Sequence, residues 1–267
     1  MKITFAGYGS MAKALARGLS AAGFTDLHAF APSLTRAVDG HGVITTSHPS
    51  EALCNAEVVI LAVKPQQMQE VMAAISAYIP ASCLLISVAA GLSCAFFAET
   101  ANEAHALVRA MPNLAAAFNE GATALFANAW TTPAQKNTAE VLFAAVGRVA
   151  WLKHEEDMDA FTALAGSGPA YVFLFLEALE KGAIALGLDE ETSRVFALQT
   201  LKGAVAVCTH SNETFATLRD KVTSPAGTTA AALAILKTRG FEDVIADALR
   251  AAAARSRELL AHGRQKQ

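Results

Sequence analysis

The stretch Ile3-Thr4-Phe5-Ala6-Gly7-Tyr8-Gly9-Ser10-Met11-Ala12 constrains the fold of this chain more than any other. A short apolar run meets two glycines one residue apart, and a helical pattern follows through Leu15 and Leu19 to Gly23. Strand, tight turn and helix in that order gather free backbone N–H groups at the helix start. Gly7 permits the turn, Gly9 lets the backbone approach a pyrophosphate, and the small Ala12 lets the helix lie close to the strand. Ser10 and Met11 open the helix and join Gly7 and Gly9 as candidate cofactor contacts. A glycine turn alone is equally a structural device, but at the head of an alternating β/α pattern it points to a dinucleotide. Gly18, inside the helix, costs helix propensity and marks close packing.

The second strand pattern, 27–31, bears on which dinucleotide. An NAD-preferring site carries Asp or Glu about twenty residues past the glycine turn for the ribose hydroxyls. Here Ala31-Pro32-Ser33 stands instead, with Arg36 beyond it. An acid there would repel a 2′-phosphate, so its absence, with Ser33 and Arg36 as donors, favours NADPH, NADH remaining the alternative. Arg36 also reads as a plain exposed charge.

Further strand patterns at 58–63, 84–88 and 106–110, separated by helical ones, give the alternation of a parallel doubly wound sheet. Ligands bind beyond the carboxyl ends of such strands. Those ends read Ala62-Val63-Lys64-Pro65, Ala89-Ala90-Gly91 and Met111-Pro112-Asn113. Lys64 is either a cofactor contact or a loop lysine, and Asn113 either touches a ligand or holds a turn.

Two more short strand patterns, 123–126 and 148–152, flank a helix, and after Lys153 the chain turns helical: 155–164, 170–186, 190–208, 214–222, 229–238 and 242–260. The division is therefore a dinucleotide-binding domain over 1–153 and a helical domain over 154–267. Tyr171–Leu176 and Ala197–Val207 are apolar around most of the helix, which one small helical domain cannot hide and an intertwined homodimer can. The whole chain is 53% hydrophobic and 17% charged, in keeping with burial between subunits.

A net charge of −3 leaves no footprint for nucleic acid, and the basic tail 250–266 reads as a solvated helix face. Cys54, Cys83, Cys94 and Cys208 show neither disulfide nor metal spacing, so no metal is expected and a reducing, cytoplasmic setting fits. Met1-Lys2 runs directly into a strand without a signal-peptide pattern. The uncharged run 81–98 approaches a membrane-spanning length, but Ser82, Ser87, Gly91 and Ser93 divide it into a strand, a turn and a helix, and no membrane span is assigned.

The second informative stretch is Leu218–Leu233, LRDKVTSPAGTTAAAL. Pro225 and Gly227 break the backbone where two helical patterns meet, and Ser224, Thr228 and Thr229 precede an Ala-rich run. Exposed amides and the positive end of a helix dipole make a site for a small carboxylate there, with hydroxyls beside it. The alternative is that Thr228 or Thr229 merely caps its own helix.

Taken together, FAGYGSMA, LAVKPQ, ISVAAGL, VRAMPN, ALAGSGPAYVF and LRDKVTSPAGTT, in that order along nearly the whole chain, resemble pyrroline-5-carboxylate reductase. The resemblance implies a Rossmann-type N-terminal domain and an all-α dimerisation domain. It further implies reduction of the cyclic imine 1-pyrroline-5-carboxylate to L-proline with NADPH or NADH, and assembly as homodimers, up to decamers. By position it places the substrate carboxylate on Ser224, Gly227 and Thr228, and the hydroxyl of Thr229, the catalytic candidate, opposite the imine nitrogen. Three departures stand out: Ala226 where glycine is usual, Leu114-Ala115 in place of Thr-Pro, and Ala165 in place of serine. The Ala226 departure implies strain if that position needs a positive φ.

Two rivals are weighed against this. β-Hydroxyacid dehydrogenases carry a catalytic Lys with Asn three residues on, whereas Lys181, Lys202, Lys221 and Lys237 are followed at that spacing by Ile184, Val205, Ser224 and Gly240. The other is a dinucleotide-sensing module without turnover, which the altered loops at Leu114 and Ala226 leave open.

Overall fold

The computed structural model describes residues 1–100 and 105–264, so the last residues of the basic tail lie outside the described residues. The first half alternates as its sequence pattern requires: β1 (Ile3–Ala6), α1 (Ser10–Ala21), β2 (Leu27–Phe30), β3 (Ala37–Val38), β4 (Ile44–Thr46), α2 (Pro49–Leu53), β5 (Val58–Leu61), α3 (Met68–Ile75), β6 (Leu84–Ser87), α4 (Cys94–Thr100) and β7 (Leu107–Met111). Then come β8 (Gly121–Ala127), α5 (Pro133–Ala144), β9 (Gly147–Trp151) and α6 (Asp157–Phe161). The run 81–98 divides into β6, a turn and α4, as its serines and Gly91 indicated.

These strands form one sheet in the order β3-β4-β2-β1-β5-β6-β7-β8-β9. The six strands from β4 to β7 are parallel, with Ile3 opposite Leu27 on one side and Val58 on the other. The sheet is mixed rather than wholly parallel: β3 is antiparallel to β4, and β8 is antiparallel to β7, with β9 parallel to β8. The cause is connection length, because a parallel crossover needs about a dozen residues or more and the 3-10 turn Leu114–Phe118 between β7 and β8 is too short to supply one.

The central strands are buried on both faces, so they read as continuous apolar runs, such as VVIL in β5. Helices α1 and α5 cover one face, where Phe5, Leu15, Leu19, Ile60, Val108 and Phe143 meet. On the other face α3 presents Met68, Met72 and Ile75 at helical spacing to Val59, Leu61 and Leu85. Full burial of each such side chain contributes about 1.5–3 kcal/mol. Gly18 is required by packing: a side chain there would overlap the Ala116 carbonyl and lie 2.9 Å from Val146 Cγ1.

Packing divides the chain into two compact units, residues 1–167 with the chain from Arg250 onward, and residues 168–249. The compositional change at Lys153 and this packing boundary are different lines. Glu155 pairs with the buried Arg109 of β7, and Asp159 of α6 accepts a 2.6 Å hydrogen bond from Ser256, so residues of the helical half pack with the sheet.

The second unit comprises α7 (Gly168–Ala185), α8 (Glu190–Thr209), α9 (Phe215–Lys221), α10 (Thr228–Thr238) and the first part of α11 (Phe241–Arg264). Among its described residues only Ser193 is buried in the single chain. Phe173, Leu174, Phe196, Leu198 and Val207 are all more than half exposed. Large apolar side chains exposed together in this number are the mark of an association surface.

Candidate functional site

In the first unit, the carboxyl ends of β1, β2 and β5 enclose a cleft of about 540 Å³. It lies where the chain switches sides of the sheet: β2 flanks β1 on one edge and β5 on the other, which opens the crevice in which doubly wound sheets bind ligands. Of the residues singled out in the sequence, Gly7, Gly9, Ser33, Ala62, Val63 and Lys64 line it together.

The glycines do different work. Gly7 has φ +88°, and a Cβ there would lie 2.5 Å from Val63 Cγ1 and 3.0 Å from the Ala62 carbonyl, so only glycine fits. Its N–H donates to the Phe30 carbonyl at 2.9 Å and ties the turn to β2. Gly9 is the N-cap of α1, with φ −82° and no neighbour near the position of a Cβ, so a side chain there would project into open space. No side chain caps α1, which leaves the amides of Ser10, Met11 and Ala12 facing outward. Met11 itself packs its side chain partly into the core, so only its backbone is offered.

These features fit a dinucleotide pyrophosphate: a turn with no side chain at the approach point, above an uncapped helix start with its positive dipole end. Ser33 stands exposed at the rim, and no carboxylate occupies Ala31, Pro32 or Ser33. Arg36 is exposed outside the lining. Lys64 is exposed at the head of a 3-10 turn over Pro65–Gln67. Pro65, Ala89, Ala90 and Gly91 fall outside the lining, the last three beyond β6, where Gly91 turns the chain with φ +74°. The cleft also uses residues without a sequence signal, among them Tyr8, Phe30, Ser47, Gln67 and Glu70.

Asn113 is held by the protein. Its Oδ1 accepts from the Ala115 N–H at 3.2 Å and its Nδ2 donates to the Ala165 carbonyl at 3.0 Å, which is the turn-holding alternative. Ala165 belongs to a π-helical turn, Thr162–Gly166, in which a Cβ on Gly166 would lie 2.7 Å from Met111 Cε.

In the second unit, α9 is capped by Thr214 and ends at Val222, and the loop from Thr223 leads to α10. The N-cap of α10 is Gly227, and neither Thr228 nor Thr229 caps the helix with its hydroxyl. The loop closes on itself once, where the Gly227 N–H donates to the Ser224 carbonyl at 3.1 Å. The amides of Thr228, Thr229 and Ala230 have no partner earlier in the helix, so α10 presents an uncapped N-terminus flanked by the exposed Ser224 and Thr228 and the half-buried Thr229. Ala226 stands in the left-handed region at φ +59°, the conformation that its departure from glycine makes costly. Among the described residues no three His, Cys, Asp or Glu side chains are grouped to hold a metal ion.

Comparison with known proteins finds relatives for both parts of the chain. Residues 155–259 match the family model for pyrroline-5-carboxylate reductase dimerisation, and residues 2–91 match that for coenzyme F420-dependent NADP oxidoreductases. A pyrroline-5-carboxylate reductase of Pseudomonas aeruginosa is 39% identical over 263 residues, covering 97% of this chain and 96% of its own. The crystal structure of a Plasmodium falciparum pyrroline carboxylate reductase with NADP bound superposes with a TM-score of 0.90 at 31% identity, covering 97% of this chain and 98% of that one. The pyrroline-5-carboxylate reductase of Coxiella burnetii does so with a TM-score of 0.88 at 38% identity, with the same coverage. A relative this similar over nearly its entire length places the chain in the pyrroline-5-carboxylate reductase family.

Proposed function

We propose that the chain reduces 1-pyrroline-5-carboxylate to L-proline, the last step of proline biosynthesis, with NADPH as the preferred reductant and NADH as the alternative. The observation that carries this reading is the pair of uncapped helix starts, one beneath a glycine turn and one after Gly227. The first suits a pyrophosphate and the second a small carboxylate.

When bound, the dinucleotide supplies the hydride that the C=N carbon accepts. Gly7, Gly9 and the amides of Ser10 and Met11 would hold its pyrophosphate. Ser33 and Arg36 would meet a 2′-phosphate, and Lys64 with the loops at Ala62–Pro65 and Ala89–Gly91 would border the rest. Asn113 would border the cofactor from the turn that it holds.

Ser224, Gly227 and Thr228 would grip the substrate carboxylate. The Thr229 hydroxyl would face the imine nitrogen and stabilise the electron pair that moves onto it as the hydride arrives. The nitrogen enters protonated or takes one proton, so no strong acid is needed, and the protein's main task is alignment.

The domain from 1 to 153 is read as the dinucleotide-binding part and 154–267 as the substrate and dimerisation part. Homodimers, and decamers of five dimers as the larger assembly, would cover the apolar helices of the second unit. The run 157–185 has the length and apolarity of a membrane span. We read its exposed face as subunit interface, because it falls within the match to dimerisation domains. We assign no nucleic acid or membrane partner and a cytoplasmic setting, which the unpaired Cys54, Cys83, Cys94 and Cys208 suit.

The test is NADPH absorbance on adding pyrroline-5-carboxylate to the purified protein, repeated with NADP and a β-hydroxyacid. A fall in absorbance in the first assay and no rise in the second are expected, and no fall in the first would remove the assignment. Thr229→Val should lower kcat by about tenfold or more with cofactor affinity unchanged; unchanged turnover would exclude Thr229 as the nitrogen's donor.

A further inference from the structure

Tyr8, the residue between Gly7 and Gly9, donates its hydroxyl to Asp39 Oδ2 at 2.5 Å. Nothing in the glycine motif asks for a tyrosine there. Asp39 closes the hairpin of β3 and β4: its Oδ1 accepts the N–H groups of His41 at 2.8 Å and Val43 at 3.0 Å, and its own N–H donates to the Val43 carbonyl. The chain just before β3 is stitched to β4 by the Thr45 hydroxyl, which donates to the Thr35 carbonyl at 2.8 Å. The segment carrying Ser33 and Arg36 is thus strung between the end of β2 and a hairpin that Asp39 locks. Tyr8 joins that hairpin to the pyrophosphate turn.

Asp39 is therefore a carboxylate a few residues beyond the segment where an acid would oppose a 2′-phosphate, with Oδ1 accepting two backbone N–H groups and Oδ2 accepting the Tyr8 hydroxyl. Burial raises the Tyr8 phenol well above its ordinary range, and the hydrogen bond to Asp39 adds to this, so the hydroxyl keeps its proton and remains a donor. Burial also works against the Asp39 charge, yet hydrogen bonds from Tyr8, His41 and Val43 hold the carboxyl below its usual range. Neutral donor and anion are fixed in those roles across the physiological range. Loss of the Tyr8 hydroxyl would leave Oδ2 without its donor, next to the residue that lines the cleft.

We propose that Tyr8 is a positioning residue for cofactor choice: its hydroxyl binds the Asp39 carboxylate and withholds that charge from the 2′-phosphate subsite, so the chain tolerates NADPH despite an acid on the adjoining hairpin. The inference rests on the reading of this cleft as a dinucleotide site and adds a determinant outside the strand-end position where the choice is usually made.

Isothermal titration of the intact assembly with NADP⁺ and with NAD⁺ tests it, on the wild type, Tyr8→Phe, and Tyr8→Phe combined with Asp39→Asn, each first shown by thermal melting to be folded. Tyr8→Phe should lower the ratio of NADP⁺ to NAD⁺ affinity by about fivefold, and adding Asp39→Asn should bring the ratio back, since Asn keeps an acceptor for His41 and Val43 without the charge. An unchanged ratio in Tyr8→Phe, equal weakening of both dinucleotides, or a double variant as low as the single one would each overturn the proposal. A wild type that binds neither dinucleotide would overturn the reading of the cleft itself, and the inference with it.

Discussion

Gly227 and Ser224 fit together by size: the Ser224 hydroxyl occupies the space that a methyl group on Gly227 would need. Gly227 has φ −79°, which any residue adopts, so Gly227→Ala chiefly displaces the hydroxyl, with the Ser224 carbonyl at 3.2 Å from the new methyl having to give by a few tenths of an ångström. The KM for the imine should rise about tenfold, with the affinity for NADPH unchanged, because one carboxylate donor is turned away. Steady-state kinetics with each substrate varied in turn would read this split.

Ala226→Gly should stabilise the protein. A non-glycine residue held at φ +59° costs about 1–2 kcal/mol, and part of that relief is offset by the greater freedom of glycine in the unfolded chain. A net gain of about 0.5–1 kcal/mol is expected, seen as a higher midpoint in urea with an unchanged slope.

The two glycines of the first turn should fail in different ways when substituted. Gly7→Ala drives a Cβ toward Val63 and the Ala62 carbonyl at a positive φ, so it should cost about 2–4 kcal/mol of stability. The Cβ of Gly9→Val meets nothing in the protein, so the variant should lose only about 1 kcal/mol as a poorer N-cap of α1 while dinucleotide binding falls by about a hundredfold. Calorimetry of both variants in the presence and absence of NADP⁺ separates the two effects.

Glu155→Ala should cost about 3 kcal/mol, because it leaves the Arg109 guanidinium, buried beneath it with an N···O distance of 2.7 Å, without its counter-charge. The same carboxylate accepts the Cys94 N–H at 2.7 Å. Burial first, and then the charge of Glu155, push the Cys94 thiol up to about 12. Removing Glu155 lowers that value, so alkylation of Cys94 should begin at a lower pH in the variant. Denaturant unfolding and a pH series of iodoacetamide labelling check the two halves of this prediction.

Legibility in the sequence followed periodicity. Strands β1, β5, β6 and β7 were plain because buried parallel strands are unbroken apolar runs, and α7, α8 and α11 because they are long, at 18, 20 and 24 residues. Ala37–Val38 and Ile44–Thr46 escaped because strands of two and three residues leave no period to detect. The reversal at β8 was recoverable: the link from Met111 to Gly121 is too short to return a parallel strand. In the site, Gly7 and Gly9 were readable from spacing, whereas Tyr8 and Asp39 meet across 31 positions of sequence through a hairpin that no local pattern announces. Asn113 showed the opposite limit, since a polar residue at a strand end looks the same whether it faces a ligand or, as here, Ala115 and Ala165.

The scarcity of interior among α7 to α10 has a consequence for how much working protein a cell obtains. If another copy covers these helices, as proposed, a chain matures only in company, so the yield of finished molecules should scale more steeply than the rate of synthesis when newly made chains are scarce. A crippled copy that still presents these helices would then draw healthy ones into defective pairs, and a mutation far from any reacting atom would be felt in more than its own gene product.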